Sequence, residues 1–410
     1  MKEGLIGPFR QLLPLADLPL NGPIRDDELD ILSEAGMWIQ DGHIKKIGVF
    51  DRMRTQLPED KILLLEEDYV GVPGLVDAHT HICYAGSRAK DYAMRVGGKT
   101  YLEIAREGGG IWSSVQQTRA ASLEALKVGI GGRLHRHASE GVTTCEIKSG
   151  YGLTVASELN MLRAIQQVDA EQPIDVISTC LAAHIPPKDF DGDGGAYLDH
   201  LLAELLPVIQ QEQLSRRIDI FIEEGAFNEE ESSSYLLAAK QMGFSLTVHA
   251  DQFHPGGSEV AVKVGAVSAD HLEAVEEEEI KLLSRHPIVS VALPGASLGL
   301  GEPYAPVRRL LDAGACVAIA SDWNPGSAPM GDLLLQAAVL GAAEHLSLAE
   351  TFAAITYRAA AALELQDRGQ LKEGMLADLL AFPCSDYRDI FYYQGKLKPA
   401  KVWKKGVLVS

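Results

Sequence analysis

The chain has 410 residues, of which 46% are apolar and 23% charged, and a formal net charge of −20 at pH 7. That composition fits a globular protein with room for one large barrel and an appended unit, and excludes a low-complexity or fibrous chain. The acidic balance argues against an electrostatic binder of nucleic acid or anionic membrane, because phosphate-rich partners are repelled at long range; a small substrate needs only one well-placed arginine.

The opening residues, Met1 to Pro8, lack the apolar core of a signal peptide, and no window reaches the length of a membrane span. The cysteines at 83, 145, 180, 316 and 384 are odd in number and have no paired spacing. A reducing cytoplasm is therefore the expected location. Cys145 and Cys180 lie in apolar strand-like runs and are expected to be small core residues.

From residue 1 to about 71 the chain reads as short β-like pieces broken by turns, among them a hairpin around Asp41-Gly42 between Trp38–Gln40 and Ile44–Val49. Gly374–Phe382 and Lys401–Val409 have the same texture. The two ends, 1–71 and 366–410, are thus predicted to build one small β-sandwich domain. Between 72 and 365 short apolar strands alternate with helical stretches, the pattern of repeated βα units. The strand runs are Leu75–His81, Val142–Ile147, Ile174–Leu181, Ile218–Ile222, Ser245–Ala250, Ala266–Asp270, Ile288–Leu293 and Cys316–Ser321. Glu158–Val168 and Ser232–Met242 carry helical spacing. Eight such strands predict an α/β fold, a (β/α)8 TIM barrel, with reactive residues at the strands' C-terminal ends.

The reactive residues fall at those ends. His79 and His81 close the first run, Lys148 follows the second, His184 the third, Glu223 and Glu224 the fourth; His249 ends the fifth, His271 follows the sixth and Asp322 the eighth. His43, His135, His137, His200, His254, His286 and His345 lie in turns or helical segments and read as surface or packing residues. His79 and His81, at i and i+2 of a strand, point the same way. With His249 and Asp322 they supply three imidazoles and a carboxylate, a ligand set for one catalytic metal ion. Asp322 is a candidate ligand, proton acceptor, or both, and His271 a candidate for proton transfer or for a hydrogen bond to a developing oxyanion. A two-metal site needs a bridging carboxylate or a carbamylated lysine ending the fourth strand; Glu223-Glu224 stand there without a lysine, which favours one metal. Lys148 reads as a structural ion-pair partner.

Arg88, just past the histidine pair, is a candidate clamp for a carboxylate tail, since its planar fork matches one. Tyr151 sits between glycines after the second strand, and Asn324, Gly326 and Ser327 follow Asp322 closely enough to offer hydrogen bonds near the metal. Other motifs fail. Gly108-Gly109-Gly110 lacks the frame of a phosphate loop, and Asp191-Gly192-Asp193-Gly194 has Leu202 where a calcium loop needs glutamate.

Pro73–His81, Gly86-Ser87-Arg88, Gly108–Ile111, Glu146–Gly152, Ala266–Leu272 and Ser321–Ser327 together resemble the metal-dependent amidohydrolase superfamily, and within it the imidazolonepropionase family. The resemblance implies an amidohydrolase-type barrel and a zinc or iron ion on His79, His81, His249 and Asp322. It also implies hydrolytic opening of 4-imidazolone-5-propanoate to N-formimidoyl-L-glutamate, with Arg88, Tyr151, His184, Asn324, Gly326 and Ser327 touching this anionic heterocycle. Relatives of this kind are often homodimers. The chain departs from the family after His249-Ala250: where a glutamate is usual, it has Asp251 and Gln252. Gln252 is then the candidate for contacting the ring at the catalytic centre, by hydrogen bonding only. The glycine-rich run Leu293–Gly301 is a second departure that bears on pocket shape. The competing readings are another hydrolase or deaminase of the superfamily acting on a different cyclic amide or amidine, and a metal-containing barrel that binds an anionic heterocycle without turnover.

Overall fold

A computed structural model describes residues 3–99, 103–104 and 107–410. The N-terminal strands are β1 (Glu3–Leu12), β2 (Leu32–Gln40), β3 (His43–Val49), β4 (Ile62–Leu64) and β5 (Val70–Pro73). The expected hairpin joins β2 to β3, with Asp41 at φ 49° and Gly42 at φ 80°. Two successive positive φ angles make the tight turn whose twist matches the flanking strands, which is why Asp-Gly is found there. The barrel strands follow as β6 (Leu75–Asp77), β7 (Val142–Lys148), β8 (Asp175–Ala183), β9 (Arg217–Ile220), β10 (Ser245–Ala250), β11 (Ser268–His271), β12 (Val289–Ala292) and β13 (Cys316–Ile319). The chain ends with β14 (Leu379–Phe382), β15 (Lys401–Lys404) and β16 (Val407–Leu408).

β6 to β13 pair in sequence order, each parallel to the next. All seven residues of β7 are buried, as expected of a parallel strand covered on both faces. Helices pack outside. Val155–Asp169 starts at a Thr154 cap that accepts from the Ser157 N–H and buries Leu159, Leu162, Ile165 and Val168 at helical spacing. The ring closes past the regular end of β6: the Asp322 N–H donates to the His79 carbonyl (3.0 Å), the His81 N–H to the Trp323 carbonyl (3.0 Å) and the Lys148 N–H to the Thr80 carbonyl (2.9 Å). The first predicted run, Leu75–His81, is thus shorter as a regular strand. Beyond Asp77 its backbone bonds to both neighbours through isolated contacts, among them a bridge between Thr80 and Trp323.

Both ends of the chain build one further eight-stranded sheet, ordered β16-β15-β14-β5-β1-β2-β3 with β4 also on β1. It curls. Ile39 of β2 and Trp403 of β15, far apart in strand order, share a core cluster with Phe9 and Leu379. Ile44 of β3 donates to the Met375 carbonyl and accepts the Gly374 N–H, both at 2.8 Å, in the segment leading into β14, and the register of β1 shifts between Ile6 and Phe9, where the strand passes from β4 to β5.

Charged contacts tie this sheet to the start of β8. Asp175 meets Arg368 (2.6 Å), Lys404 (2.9 Å) and Lys405 (2.9 Å), and Lys404 also meets Asp378 (2.7 Å). Burial acts to raise Asp175, but Lys404, Lys405 and Arg368 outweigh it and hold the carboxyl well below its usual range. A depressed folded-state value contributes stability above the unfolded carboxyl range, near 4, that is lost as pH falls below it. Asp175→Asn is expected to cost about 2 kcal/mol at neutral pH, because it removes the carboxylate that three cations share. Urea unfolding at pH 7 and at about pH 3.5 checks this: the gap narrows at the lower pH, and a gap that is absent or widens there contradicts it.

Candidate active site at the barrel rim

The ends of β6, β10 and β13 bring His79, His81, His249 and Asp322 together. His81 Nε2 lies 3.2 Å from His79 Nε2, 3.2 Å from His249 Nε2 and 3.4 Å from Asp322 Oδ1. His79 Nε2 is 3.8 Å from the same carboxylate oxygen. All four residues are buried. His271 joins the group from β11, its ring centroid 5.3 Å from that of His249 and 5.9 Å from that of His79.

Carboxylates behind the histidines settle which ring nitrogen faces inward. His79 Nδ1 donates to Asp270 Oδ2 at 2.6 Å, and His249 Nδ1 is 3.0 Å from Asp219 Oδ2. With the proton on Nδ1, both Nε2 lone pairs aim at one point between the rings. Burial, with repulsion from neighbouring cations, pushes His79 and His81 well below the ordinary imidazole range; burial likewise takes His249 down to about 4 against the opposing Asp219. Neutral imidazoles are what a metal ion requires. Lone pairs facing each other without a proton repel, and ligands about 2.1 Å from a tetrahedral ion lie about 3.4 Å from one another. The donor set therefore fits a divalent cation in its chemistry, with the ligand atoms of His79, His81 and Asp322 within 4.8 Å of one another and those of His79, His249 and His271 forming a second such group.

Asp322 has φ 48°, in the left-handed region that non-glycine residues rarely adopt. Its carbonyl and Oδ2 accept from Asn324 Nδ2 at 2.7 and 2.9 Å, while Asn324 Oδ1 takes the N–H groups of Gly326 (2.7 Å) and Ser327 (2.8 Å). One asparagine thus organises the whole 322–327 turn. Burial pushes Asp322 up to about 7 against the pull of His271 and Asn324. His271 moves the other way from His79, His81 and His249: burial alone would lower it, but Glu273, 3.4 Å from Nδ1, together with Asp322 and Asp270, raises it. His271 and Leu272 stand at φ 90° and 70°, so this strand end is also held out of the ordinary backbone regions.

The predicted substrate-contact residues surround the same point. His184 donates from Nδ1 to the Gly150 carbonyl (3.0 Å), which leaves Nε2 free, and its ring stacks on His81 at 5.4 Å. Tyr151 lies 5.4 Å from His184 and 6.1 Å from His81, ring to ring, and burial raises its hydroxyl above the usual range. Arg88 reaches over from the other side. A Cβ on Gly326 would overlap Arg88 Nη1, so glycine there lets the guanidinium lie against the turn that carries Asp322.

Gln252 is half-buried beyond the end of β10, and its side chain makes no hydrogen bond to another described residue. Asp251 points away from proton chemistry: its carboxylate takes the Ser258 hydroxyl and the Ser258 N–H (3.2 Å), capping the helix Gly257–Val264. Glu223 does not approach the histidines either. It accepts the N–H of Phe253 (2.9 Å) and of His254 (3.2 Å) and pairs with the His254 ring at 2.5 Å, while Glu224 is exposed. The glycine-rich run is largely the helix Pro294–Leu300, whose Ser297 hydroxyl donates to Glu273 (3.3 Å) behind His271. Asp193, part of the failed calcium motif, caps the helix Gly194–His200.

The carboxylates behind the histidines, Asp219 and Asp270, were not singled out from sequence. Lys148, expected to be an ion-pair partner, is buried with Nζ 2.8 Å from Glu146, 2.8 Å from Asp219 and 3.9 Å from Asp270. The available signal was an acidic residue inside an apolar strand, Asp219 in Arg217–Ile220, which demands a buried partner.

An amidohydrolase-family model matches residues 70–409 of the chain. The curated protein named imidazolonepropionase from Deinococcus deserti is 42% identical over 383 residues, 93% of this chain and 94% of that protein. Its namesake from Symbiobacterium thermophilum is 38% identical over 409 residues, 97% and 95% of the two chains. Among solved structures, an adenosine deaminase from Xanthomonas campestris with bound zinc superposes with a TM-score of 0.72 at 18% identity, covering 98% of this chain and 92% of that one. A guanine deaminase from E. coli superposes at 0.74 with 15% identity, covering 100% and 99%. At those identities the structural likeness speaks for the fold alone.

Proposed function

The chain belongs to the amidohydrolase family and, within it, to the imidazolonepropionases, and from that membership we propose that it hydrolyses 4-imidazolone-5-propanoate to N-formimidoyl-L-glutamate in histidine degradation. The observation that carries the reading is the 322–327 turn. It presents the Asp322 carboxylate to His79 and His81 on one side and lies against the Arg88 guanidinium on the other, so a cyclic amide and its anionic tail are addressed by one short segment. An uncharged cyclic amidine would give Arg88 nothing to pair with.

In this reading His79, His81, His249 and Asp322 hold one zinc or iron ion, both of which suit imidazole and carboxylate ligands. Such an ion, when bound, polarises a carbonyl and makes a water easier to deprotonate. Arg88 takes the propionate, and Tyr151, His184, Gln252, Asn324 and Ser327 offer hydrogen bonds to the ring, with Gly326 contacting the tail beside the guanidinium for which it leaves room. Asp322 receives the proton of the attacking water; Asn324 fixes the carboxylate in place by donating to Oδ2. As the ring C–N bond breaks, the carbonyl carbon becomes a carboxylate carbon. His271, held protonated beside Glu273, gives a proton to the departing nitrogen, which stays in the formimidoyl group.

The five cysteines are unpaired, and no helix among the described residues is long and apolar enough to cross a membrane. A cytoplasmic homodimer that binds no nucleic acid belongs to the same proposal. Steady-state turnover of freshly prepared imidazolone propionate, followed as loss of imidazolone absorbance, tests the activity on metal-replete and chelated protein in parallel. Activity is expected to vanish on chelation and return with zinc or iron. A rate indifferent to verified metal removal overturns the mechanism.

A further inference from the structure

Arg88 Nε donates to Asp91 Oδ2 at 2.9 Å, and the same oxygen accepts the Gly110 N–H at 2.8 Å. Asp91 is buried, and its other oxygen lies only 2.6 Å from where a Cβ on Gly109 would stand. The triple-glycine loop is therefore moulded onto this carboxylate. Gly108 and Gly110 have φ of 82° and 79°, open to glycine and strained for other residues. Gly110 is also the residue from which the helix Ile111–Ala120 starts, so one carboxylate ties the guanidinium to a fixed element of the barrel's outer layer.

A guanidinium has five N–H donors in a planar fork, and carboxylates are best met along an edge that offers two of them. Asp91 occupies Nε. Nη1 and Nη2 donate to no other described residue, and Nη1 lies against Gly326 at the edge of the turn that carries Asp322. We propose that Asp91 is the positioning residue of the carboxylate clamp: it holds the guanidinium by its Nε edge so that the Nη edge faces the substrate's propionate. The assignment rests on the reading of Arg88 given above. A residue in the first turn of the helix Ala89–Val96 could also serve only to cap that helix, but Asp91 spends its carboxylate on Arg88 and Gly110 instead.

Initial rates on imidazolone propionate and on an imidazolone lacking the propionate tail, for Arg88→Ala, Asp91→Ala and the double variant, test the assignment. Asp91→Ala is expected to raise KM for the propionate substrate about 10-fold, the scale of one charge-assisted hydrogen bond, with kcat changed less than about threefold and the tail-less compound unaffected. In the Arg88→Ala background it should change nothing further, because the group it positions is gone. Asp91→Asn, which keeps an acceptor in the same volume, should recover part of the KM and covers the case in which the alanine variant fails to fold. If Arg88→Ala weakens only the propionate substrate while neither Asp91 variant alters that discrimination, or if the two losses add in full, the positioning role is overturned and the clamp stands. Equal losses on both substrates for Arg88→Ala overturn the clamp itself, and the role of Asp91 with it.

Discussion

Asp322→Asn lowers kcat about 10³-fold with little change in fold, the scale expected when a positioned proton acceptor is lost. The substitution is nearly isosteric, and it leaves Asn324 to hold the turn through the backbone carbonyl of residue 322 (2.7 Å) and through the N–H groups of Gly326 and Ser327. What changes is the charge. An amide has no oxygen able to take a proton from water at neutral pH, and turning its NH2 toward Asn324 Nδ2 would set one donor against another. The metal-free protein supplies a second readout. Burial pushes Asp322 up to about 7, above the unfolded carboxyl value near 4. Ionising this group is therefore disfavoured in the folded chain, and stability is penalised as pH rises through that interval and fully above it. Chelated Asp322→Asn should accordingly unfold no lower than the chelated parent at pH 8. Kinetics are compared at matched metal content, measured by elemental analysis. A variant with parental metal and a kcat within tenfold of the parent would remove Asp322 from proton transfer.

How far the sequence reaches depends on whether a residue's role is set by strand position or by depth. The eight barrel strands are legible because a parallel strand buried on both faces favours short apolar runs, as in Cys316–Ile319, and the helices between them need caps and periodicity, as in Thr154 and its helix. His79, His81, His249 and Asp322 are legible for a related reason: strand ends in a barrel share one rim, so residues remote in the chain are assigned to one place. Boundaries shift where the backbone leaves regular pairing to serve the site, as beyond Asp77 and beyond Ile220. Glu223 illustrates a different failure. It stands near a strand end, but β9 finishes three residues earlier, and the carboxylate turns to the 253–254 backbone. Asp91 had no legible role, because its partner Gly110 is distant in sequence and nothing in the pattern of residues 89–96 distinguishes a helix cap from a guanidinium holder. In the layer below the rim, Lys148 is legible from its strand end as an ion-pair partner, but Asp219 and Asp270, which it meets, lie inside strands, where no positional rule singles out a residue.

That hidden layer carries the second large effect: Lys148→Met is expected to cost about 4 kcal/mol of stability, within the range for removing one member of a buried ionic network. The ammonium is 1% exposed and reaches Glu146 and Asp219, each at 2.8 Å, with Asp270 at 3.9 Å. Methionine fills comparable volume, so the loss is not one of packing. It comes from leaving three acidic groups in the dry barrel interior with one cation fewer than their charges require. Burial alone would raise Asp219, yet His249 and Lys148 hold it low, and that is the ionised form placed beside His249 Nδ1. Glu146 has a further duty, accepting the Thr80 N–H at 3.1 Å between the two rim histidines. Loss of the lysine should therefore loosen His79, His81 and His249 as well as the core. Urea unfolding of metal-free protein reads the first effect, and competition with a calibrated chelator reads the second as a weaker hold on zinc. Lys148→Met combined with Glu146→Gln removes one negative charge and should recover part of the stability. A loss below about 1 kcal/mol in the single variant, with parental zinc affinity, would reduce Lys148 to a bystander in the barrel interior.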